Sequence, residues 1–550
     1  MEKQSSDQPP VSPVVPVYNT DTRPEECLDS LAYLIRSGKT EDIPDRWEAC
    51  RTCMPGTELP AAAAEKWYGA EEEFLPIWKT LCGNTDTPKQ IRTVGTFYPR
   101  IGNGGVQRVL AGLVSLWTDM GYRVILLTEE EPRETDYDLP DTVKRYCLPK
   151  LDGLSAAEIR GRCGERVRCL TEIIRNEQID LLIYHQWLGS FLLWDMLTAK
   201  LAGAAFCIYC HSLFTVPLIE KTLLRQYRLM PDIYACADGI VCLTEADWYY
   251  WSRYNANVHL TVNPLTFSAG DAKPRTDCSP TLVWVGRLSR EKRPEDAVLA
   301  VGKAAERIPG IKLLLVGGGD PKEEEKLRDL IRREGLQENV EMRGYQKDVG
   351  PYYRLASALL LTSEYEGFCL TAAEAQAYGL PVISYDLPYL PLLAGGMGSV
   401  RVPQGDVPRL AEEIAGVLSD PERYRELSRD AVSNVQRFDI DLKEPWQVIL
   451  KSFGKPAGVL SNGGKVDKMA LDMIRQHVTL REGENAANHI AVDSLVDAAF
   501  PLPASGPLRG LRRKTALAVR VLMIDGPGAA IRRMTGKKGK NFSRTEKKGD

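Results

Sequence analysis

The chain has 550 residues, 44% of them hydrophobic and 26% charged, the balance of a folded globular protein rather than a disordered or fibrous one. A formal net charge of −4 excludes nucleic-acid affinity carried by the chain as a whole. The charge is uneven: residues 508–550 hold 13 Lys or Arg against 3 acids, a net +10 that leaves −14 on the first 507. No apolar run reaches the roughly 18 to 20 residues that span a bilayer, and the start, MEKQSSDQPPVSPVVP, lacks the layout of a signal peptide. The expected location is therefore cytoplasmic. Scattered cysteines, several within apolar runs (Cys207, Cys210, Cys242, Cys369), read as reduced thiols. Cys50 and Cys53 have metal-ligand spacing, but no second such pair stands nearby, so no metal is expected.

In chain order, the Pro, Ser and Gln rich first twenty residues predict disorder. Residues 25–36, 46–53 and 61–81 predict short helices, with Leu31, Leu34, Trp47, Trp67, Phe74 and Trp78 at helical spacing. From Arg92 onward, short β-branched or apolar runs alternate with longer amphipathic stretches, the pattern of βαβ units around a parallel sheet. The first series is RTVGTFY, RVILLTEE, LLIYH, AFCIYCH, GIVCLT and VHLTVNP. The second, from Pro280, is TLVWVG, KLLLVGGG, VEMRGY, ALLLTS and PVISYD, with helices over 295–306 and 321–334. A polar stretch over 268–279 separates them. The fold class is thus α/β, with two doubly wound Rossmann-like domains. The expected divisions are an extension over 1–89, a first domain over 90–270, a second over 271–454 and a C-terminal extension over 455–550.

In open parallel sheets, ligands collect beyond the carboxyl ends of strands, so the loops that follow strands are informative. Gly104 and Gly105, in PRIGNGGVQRVL, stand between a strand and a helix, where bare backbone can approach a phosphate or sugar hydroxyl. A simple tight turn is the competing reading, and the G-x-G-x-x-G spacing of a dinucleotide site is missing. In Gly286-Arg287-Leu288-Ser289-Arg290-Glu291-Lys292, Arg287 and Lys292 share a loop and can hold a diphosphate together. A solvated basic loop is the alternative. In SEYEGFCLTAAEA, Glu366 sits in a Gly-containing loop and Glu374 on the helix beginning near Leu370, suited to different hydroxyls of one polyhydroxylated ligand. Otherwise Glu374 is a surface acid and Glu366 a capping residue. His185 and His211 end strands and could face a cleft between the domains, whereas His259, His477 and His489 take no role. Asp439 and Asp441 match a metal-binding Asp-x-Asp by chance.

Together these residues resemble the family 4 glycosyltransferases, retaining enzymes of GT-B architecture, over about residues 92–453. Glu366 to Glu374, within EGFCLTAAEAQAYGLPVIS, looks like the family's E-x7-E motif. VGRLSREK is similar to its Gly-Arg with Lys five residues after the Arg, GNGGVQRVL to its N-terminal glycine loop, and VNPL at 262–265 to the segment closing the first domain. The resemblance implies two Rossmann-like domains facing a cleft, a nucleotide diphosphate sugar as donor, and a glycan or lipid-linked acceptor. It implies that Arg287 and Lys292 bind the diphosphate and stabilise it as it leaves. Glu374 would hold the ribose and Glu366 the transferred sugar, beside N–H groups of Gly367, Phe368, Cys369 and Leu370. Gly104, Gly105 and Gly286 would border the donor, His211 would lie near its sugar, and Arg343, within Met342 to Tyr345, would lie against the base. No metal or other cofactor is implied, because Arg and Lys supply the charge. Cys369 stands where Gly or Pro is common, which bears on donor sugar.

The segment LRGLRRKTALAVRVLMID places Leu508, Leu511, Ala518, Val519 and Leu522 on one helical face and Arg509, Arg513 and Arg520 on another. With the basic residues beyond it, the tail suits docking on anionic lipid at the inner face of the membrane. A solvated tail or a packing helix is the alternative. For the whole chain, the competing class is a non-catalytic GT-B partner that binds glycan or stabilises another transferase, which would have no need of Arg287, Lys292, Glu366 and Glu374 together.

Overall fold

The structure is a computed structural model describing residues 29–30, 33–34, 58–83, 85, 90–102, 104–151, 153–189, 191–216, 224–265, 267, 269–393 and 396–453. Expectations for the first twenty residues, for 46–53 with Cys50 and Cys53, for His477 and His489, and for the tail lie outside these residues, as does most of 25–36. Of the described residues, one compact unit takes those within 1–102, 117–207 and 236–238, and a second those within 103–116, 208–235 and 239–550.

Two parallel sheets organise the chain. The first contains β1 (Thr93–Phe97), β2 (Arg123–Thr128), β3 (Lys144–Cys147), β4 (Leu181–Tyr184), β5 (Ala205–Tyr209), β6 (Gly239–Cys242) and β7 (Val258–Leu260), in the order β3-β2-β1-β4-β5-β6-β7. The second contains β8 (Thr281–Val285), β9 (Lys312–Val316), β10 (Val340–Gly344), β11 (Ala358–Leu361), β12 (Val382–Tyr385) and β13 (Ser399–Val402), in the order β10-β9-β8-β11-β12-β13. Both follow the winding of a Rossmann sheet, outward from a central strand and then back past it. The inner strands are apolar because both faces are covered: β4 and β11 are buried along their whole length.

Two strands were not expected. β3 and β13 both lie at sheet edges and carry charge, Lys144 and Arg145 in one and Arg401 in the other. The Met342-Arg343-Gly344 segment belongs to β10 itself, with Tyr345 following it.

In the first unit, the single helix expected over 61–81 is two, Glu58–Trp67 and Glu71–Gly83, parted at Gly69, whose φ of 88° ends the first. Their aromatic faces continue a stack: Trp67 on Phe74 at 4.8 Å, and Phe74 on Trp194 at 5.2 Å. Trp78 Nε1 donates to the Leu193 carbonyl at 3.1 Å. Below them Arg166 is fully buried between Asp195, at 2.7 Å, and Glu129, at 2.6 Å, while the Tyr184 hydroxyl donates to Asp195 at 2.8 Å. Every charge in that cluster has an opposite partner, as burial requires. His185, fully buried after β4, has its pKa depressed to about 3 by desolvation and stays neutral.

In the second unit, helices Pro294–Ala304 and Val407–Ser419 cover one face of the β8 sheet, whose core includes Leu282, Trp284, Leu313, Leu315 and Leu360. Helix Lys443–Ser452 packs Trp446 on Tyr209 at 6.1 Å, and Ser452 bonds His259 at 2.8 Å. Among the described residues no helix is long and apolar enough to cross a membrane.

Candidate functional site

The winding of the second sheet reverses between β8 and β11, so the loops leaving those two strands border the crevice where such sheets bind ligands. These loops carry Gly286 to Lys292 and Glu366 to Cys369. At the end of β8, Gly286 N–H donates to Val316 at 3.1 Å, and Leu288 N–H to Gly318 at 3.0 Å. A side chain at Gly317 would place Cβ 1.7 Å from the Gly286 carbonyl oxygen, so the two strand ends close together only as bare backbone.

Thr362 ties the two loops to each other. Its Oγ1 accepts from Trp284 Nε1 at 3.0 Å and stands 2.8 Å from the carbonyls of both Lys292 and Arg293. Glu364 N–H donates to the Glu291 carbonyl at 2.8 Å. Thus fixed, Lys292 Nζ donates to Glu366 Oε1 at 2.6 Å, and Ser363 Oγ donates to the same oxygen at 2.6 Å. The Glu366 N–H is held by the buried Tyr389 hydroxyl at 3.0 Å. Arg293, in the left-handed region at φ 46°, pairs with Asp296 at 2.7 Å and Glu364 at 3.3 Å, fixing the backbone beside Lys292.

Gly367 has a spatial reason to be glycine: its Cβ would lie 1.9 Å from the His211 carbonyl oxygen. That close approach brings the end of β5 to the Glu366 loop, with the His211 ring stacked on Tyr209 at 4.4 Å. Phe368 is buried edge-on to Phe438 at 6.1 Å. Cys369 has φ 68° and caps helix Leu370–Ala377, a conformation that favours glycine. Burial raises its thiol pKa to about 12. The N–H groups of Ala372 and Ala373 turn back to the Cys369 carbonyl, at 3.1 and 3.3 Å.

Glu374 is a buried residue rather than a surface acid, with its side chain 7% exposed. Arg108 Nη1 pairs with its Oε1, and the Tyr353 hydroxyl donates to Oε2 at 2.9 Å. Burial pushes the carboxyl above its ordinary range, while Arg108 and Tyr353 pull against it. Arg108 lies in the first turn of helix Gly105–Asp119, its N–H bonded to Gly104 at 3.0 Å. A Cβ at Gly105 would meet nothing within 4 Å, whereas one at Gly104 would strike Gln107.

The structure therefore brings together Lys292, Glu366, Gly367 and His211, and places Glu374 against the Gly104–Gly105 helix. Arg287 shares the Lys292 loop but stands well out, its side chain 76% exposed and paired with Glu291 at 3.1 Å. Arg343 pairs with Glu341 at the end of β10. Sequence reasoning missed Arg108 and Tyr353. A cation in the first turn of a helix opposes the helix dipole and signals a compensating acid elsewhere. It also missed Arg275, within the stretch read as a separator, whose guanidinium donates to the carbonyls of Tyr353, Arg354, Ala356 and Tyr378 at 2.8 to 3.1 Å.

Two Rossmann-like parallel sheets, each wound outward from a central strand and back, are the architecture of the GT-B fold, and the family matches make the protein a glycosyltransferase. Residues 103–264 match the family described as Glycosyltransferase Family 4, and residues 271–433 the one described as Glycosyl transferases group 1. The chain is similar to D-inositol 3-phosphate glycosyltransferase of Segniliparus rotundus, 33% identical over 326 residues, covering 54% of this chain and 72% of that one. It is similar to the amylovoran biosynthesis glycosyltransferase AmsD of Erwinia amylovora, 32% identical over 296 residues, covering 52% and 78%. Its fold is similar to that of S. aureus TarM, solved with fondaparinux, alpha-GlcNAc-glycerol and UDP, at a TM-score of 0.54 and 12% identity, covering 66% of this chain and 100% of that one. The chain belongs to the family 4 glycosyltransferases.

Proposed function

We propose that this glycosyltransferase moves a sugar, with retention at the anomeric carbon, from a nucleotide diphosphate sugar to a hydroxyl of a glycan or lipid-linked acceptor, in cell-surface polysaccharide or glycolipid synthesis. The observation that carries the reading is the Lys292–Glu366 pair at 2.6 Å, a cation and an acid held beyond β8 and β11 where a diphosphate sugar would lie. The UDP bound to TarM supports a nucleotide donor, and AmsD, named for amylovoran biosynthesis, supports a polysaccharide product.

In this reading Lys292 and Arg287 hold the diphosphate and neutralise the charge that develops as it leaves, the work a divalent metal does elsewhere. Glu366 and His211 contact the transferred sugar, and the N–H groups from Gly367 to Leu370 take sugar or phosphate oxygens. Gly104, Gly105 and Gly286 let the donor approach backbone, Arg343 lies by the base and Glu374 by the ribose. The leaving phosphate helps to deprotonate the acceptor on the face it departs from. Residues 508–550 would dock the enzyme on anionic lipid from the cytoplasmic side, beyond domains spanning 90–270 and 271–454.

The test is thermal stabilisation by a panel of nucleotide sugars, compared with an Arg287→Ala, Glu374→Ala double variant. A ligand that binds only the folded state raises the melting temperature, by about 2.7 kcal/mol of stability at a hundred times Kd. A shift with one or two donors that the variant loses is expected, and no shift with any donor overturns the reading. Product NMR checks the stereochemistry, where an inverted anomeric centre refutes retention. Deletion of 508–550 should abolish binding to anionic vesicles, and unchanged binding removes the tail's role.

A further inference from the structure

We propose that Arg108 is a positioning residue: it keeps Glu374 ionised and turned so that the carboxylate accepts hydrogen bonds from hydroxyl groups of the nucleotide ribose. The inference rests on the donor reading above and assigns a role to Arg108, a residue of the GNGGVQRVL segment to which that reading gives none.

Arg108 stands in the first turn of helix Gly105–Asp119, where the helix's own dipole disfavours a cation. Its compensation is Glu374, which its Nη1 meets at Oε1. The exposures are unequal, 28% for the Arg108 side chain and 7% for Glu374, so a partly solvated cation reaches a buried acid. A carboxylate offers about four lone-pair sites when ionised. Arg108 takes one and the Tyr353 hydroxyl another, at 2.9 Å, which leaves acceptor capacity for two further hydroxyls. A protonated carboxyl would lose part of that capacity and present a donor instead.

The surroundings make the guanidinium decisive. The titratable groups facing Glu374 are Arg108 and Tyr353, with Cys369 beyond, against Tyr353. Helix Pro421–Gln436 packs on helix Leu370–Ala377 through Asn434 and Gln376, which are neutral and bonded to each other at 3.0 Å. Tyr353 is buried and its hydroxyl stays protonated, so it contributes a hydrogen bond and no charge. Without Arg108, burial would drive Glu374 toward its neutral form.

The experiment measures binding of ribonucleoside diphosphates and their 2′,3′-dideoxy counterparts by calorimetry from pH 6 to 9. The proteins are the native enzyme, Arg108→Met, Arg108→Lys, Glu374→Gln and the Arg108→Met, Glu374→Gln double variant. Arg108→Met should weaken the ribonucleotide about tenfold or more at pH 6, with the deficit shrinking toward pH 9 as Glu374 ionises unaided. Arg108→Lys should restore most of the affinity. The dideoxy nucleotide should bind native and Arg108→Met alike, and the double variant should bind independently of pH. A deficit that is constant with pH, or equal for the dideoxy analogue, overturns the proposal. Absence of nucleotide binding by the folded native enzyme instead refutes the donor reading. If Arg108→Met fails to fold, Arg108→Gln carries the same expectations.

Discussion

Lys292 Nζ stands 2.6 Å from Glu366 Oε1, joining the loop after β8 to the loop after β11 across the switch point of the second sheet. Both side chains are largely shielded, and Ser363 shares the accepting oxygen. An ammonium has three donors, so one spent on Glu366 leaves two for phosphate oxygens. The acid thereby aims the cation, and the cation holds the acid in place.

Lys292→Ala should lower kcat by about 10²- to 10³-fold at saturating donor, because the lost charge acts on the leaving diphosphate. Lys292→Arg should recover only part of it, since a planar fork cannot reproduce a compact ammonium in the same space. Initial rates measured for both decide the matter, and an alanine variant within tenfold of native would show the charge to be dispensable.

Gly367→Ala sets backbone against backbone, because the new Cβ would lie 1.9 Å from the His211 carbonyl oxygen and no rotamer relieves that. The expected result is a loss of about 1 to 3 kcal/mol of stability together with weakened donor binding, since the Glu366 loop must move. Gly105→Ala is the contrast. Nothing lies within 4 Å of its Cβ, so its melting temperature should hold while donor affinity falls.

The inner strands were legible because a strand covered on both faces carries an apolar run, as LLIY in β4, LVWV in β8, LLLV in β9 and ALLL in β11 show. β3 and β13 were not, because an edge strand tolerates charge and so loses the pattern that announces it. The Glu366 to Glu374 motif was readable from its order of residues. Its surroundings were not: the partner of Glu374 lies 266 positions earlier, at Arg108, and only folding brings them together. Arg275 was hidden in a polar stretch that looked like a separator, although it satisfies carbonyls at the ends of two helices.

Cys369 combines a left-handed backbone with a buried thiol. Cys369→Gly should remain within about 1 kcal/mol of native, as relief of the φ 68° conformation offsets the lost side chain. Cys369→Val should cost more than about 2 kcal/mol, because a β-branched residue suits that region least. With a pKa near 12, the native thiol should also resist iodoacetamide at pH 8 until denaturant exposes it, as peptide mass spectrometry can follow.

Asp247 makes stability depend on pH in the direction opposite to most carboxylates. It is fully buried and accepts the Phe214 N–H at 2.7 Å and the Thr244 hydroxyl at 2.5 Å. Desolvation outweighs those bonds and raises its pKa from 3.8 to about 7. A folded-state pKa above the unfolded one means that the native form binds the extra proton between those values. The contribution is therefore complete below about pH 4 and is lost progressively as pH rises to about 7. Asp247→Asn keeps an acceptor for Phe214 and carries no charge, so it should remove this slope and leave the variant more stable than native at pH 8. Urea unfolding of both proteins at pH 4.5, 6 and 8 measures it. Parallel stability curves for the two would mean that Asp247 is ionised in the folded protein throughout, and that its two hydrogen bonds outweigh its burial.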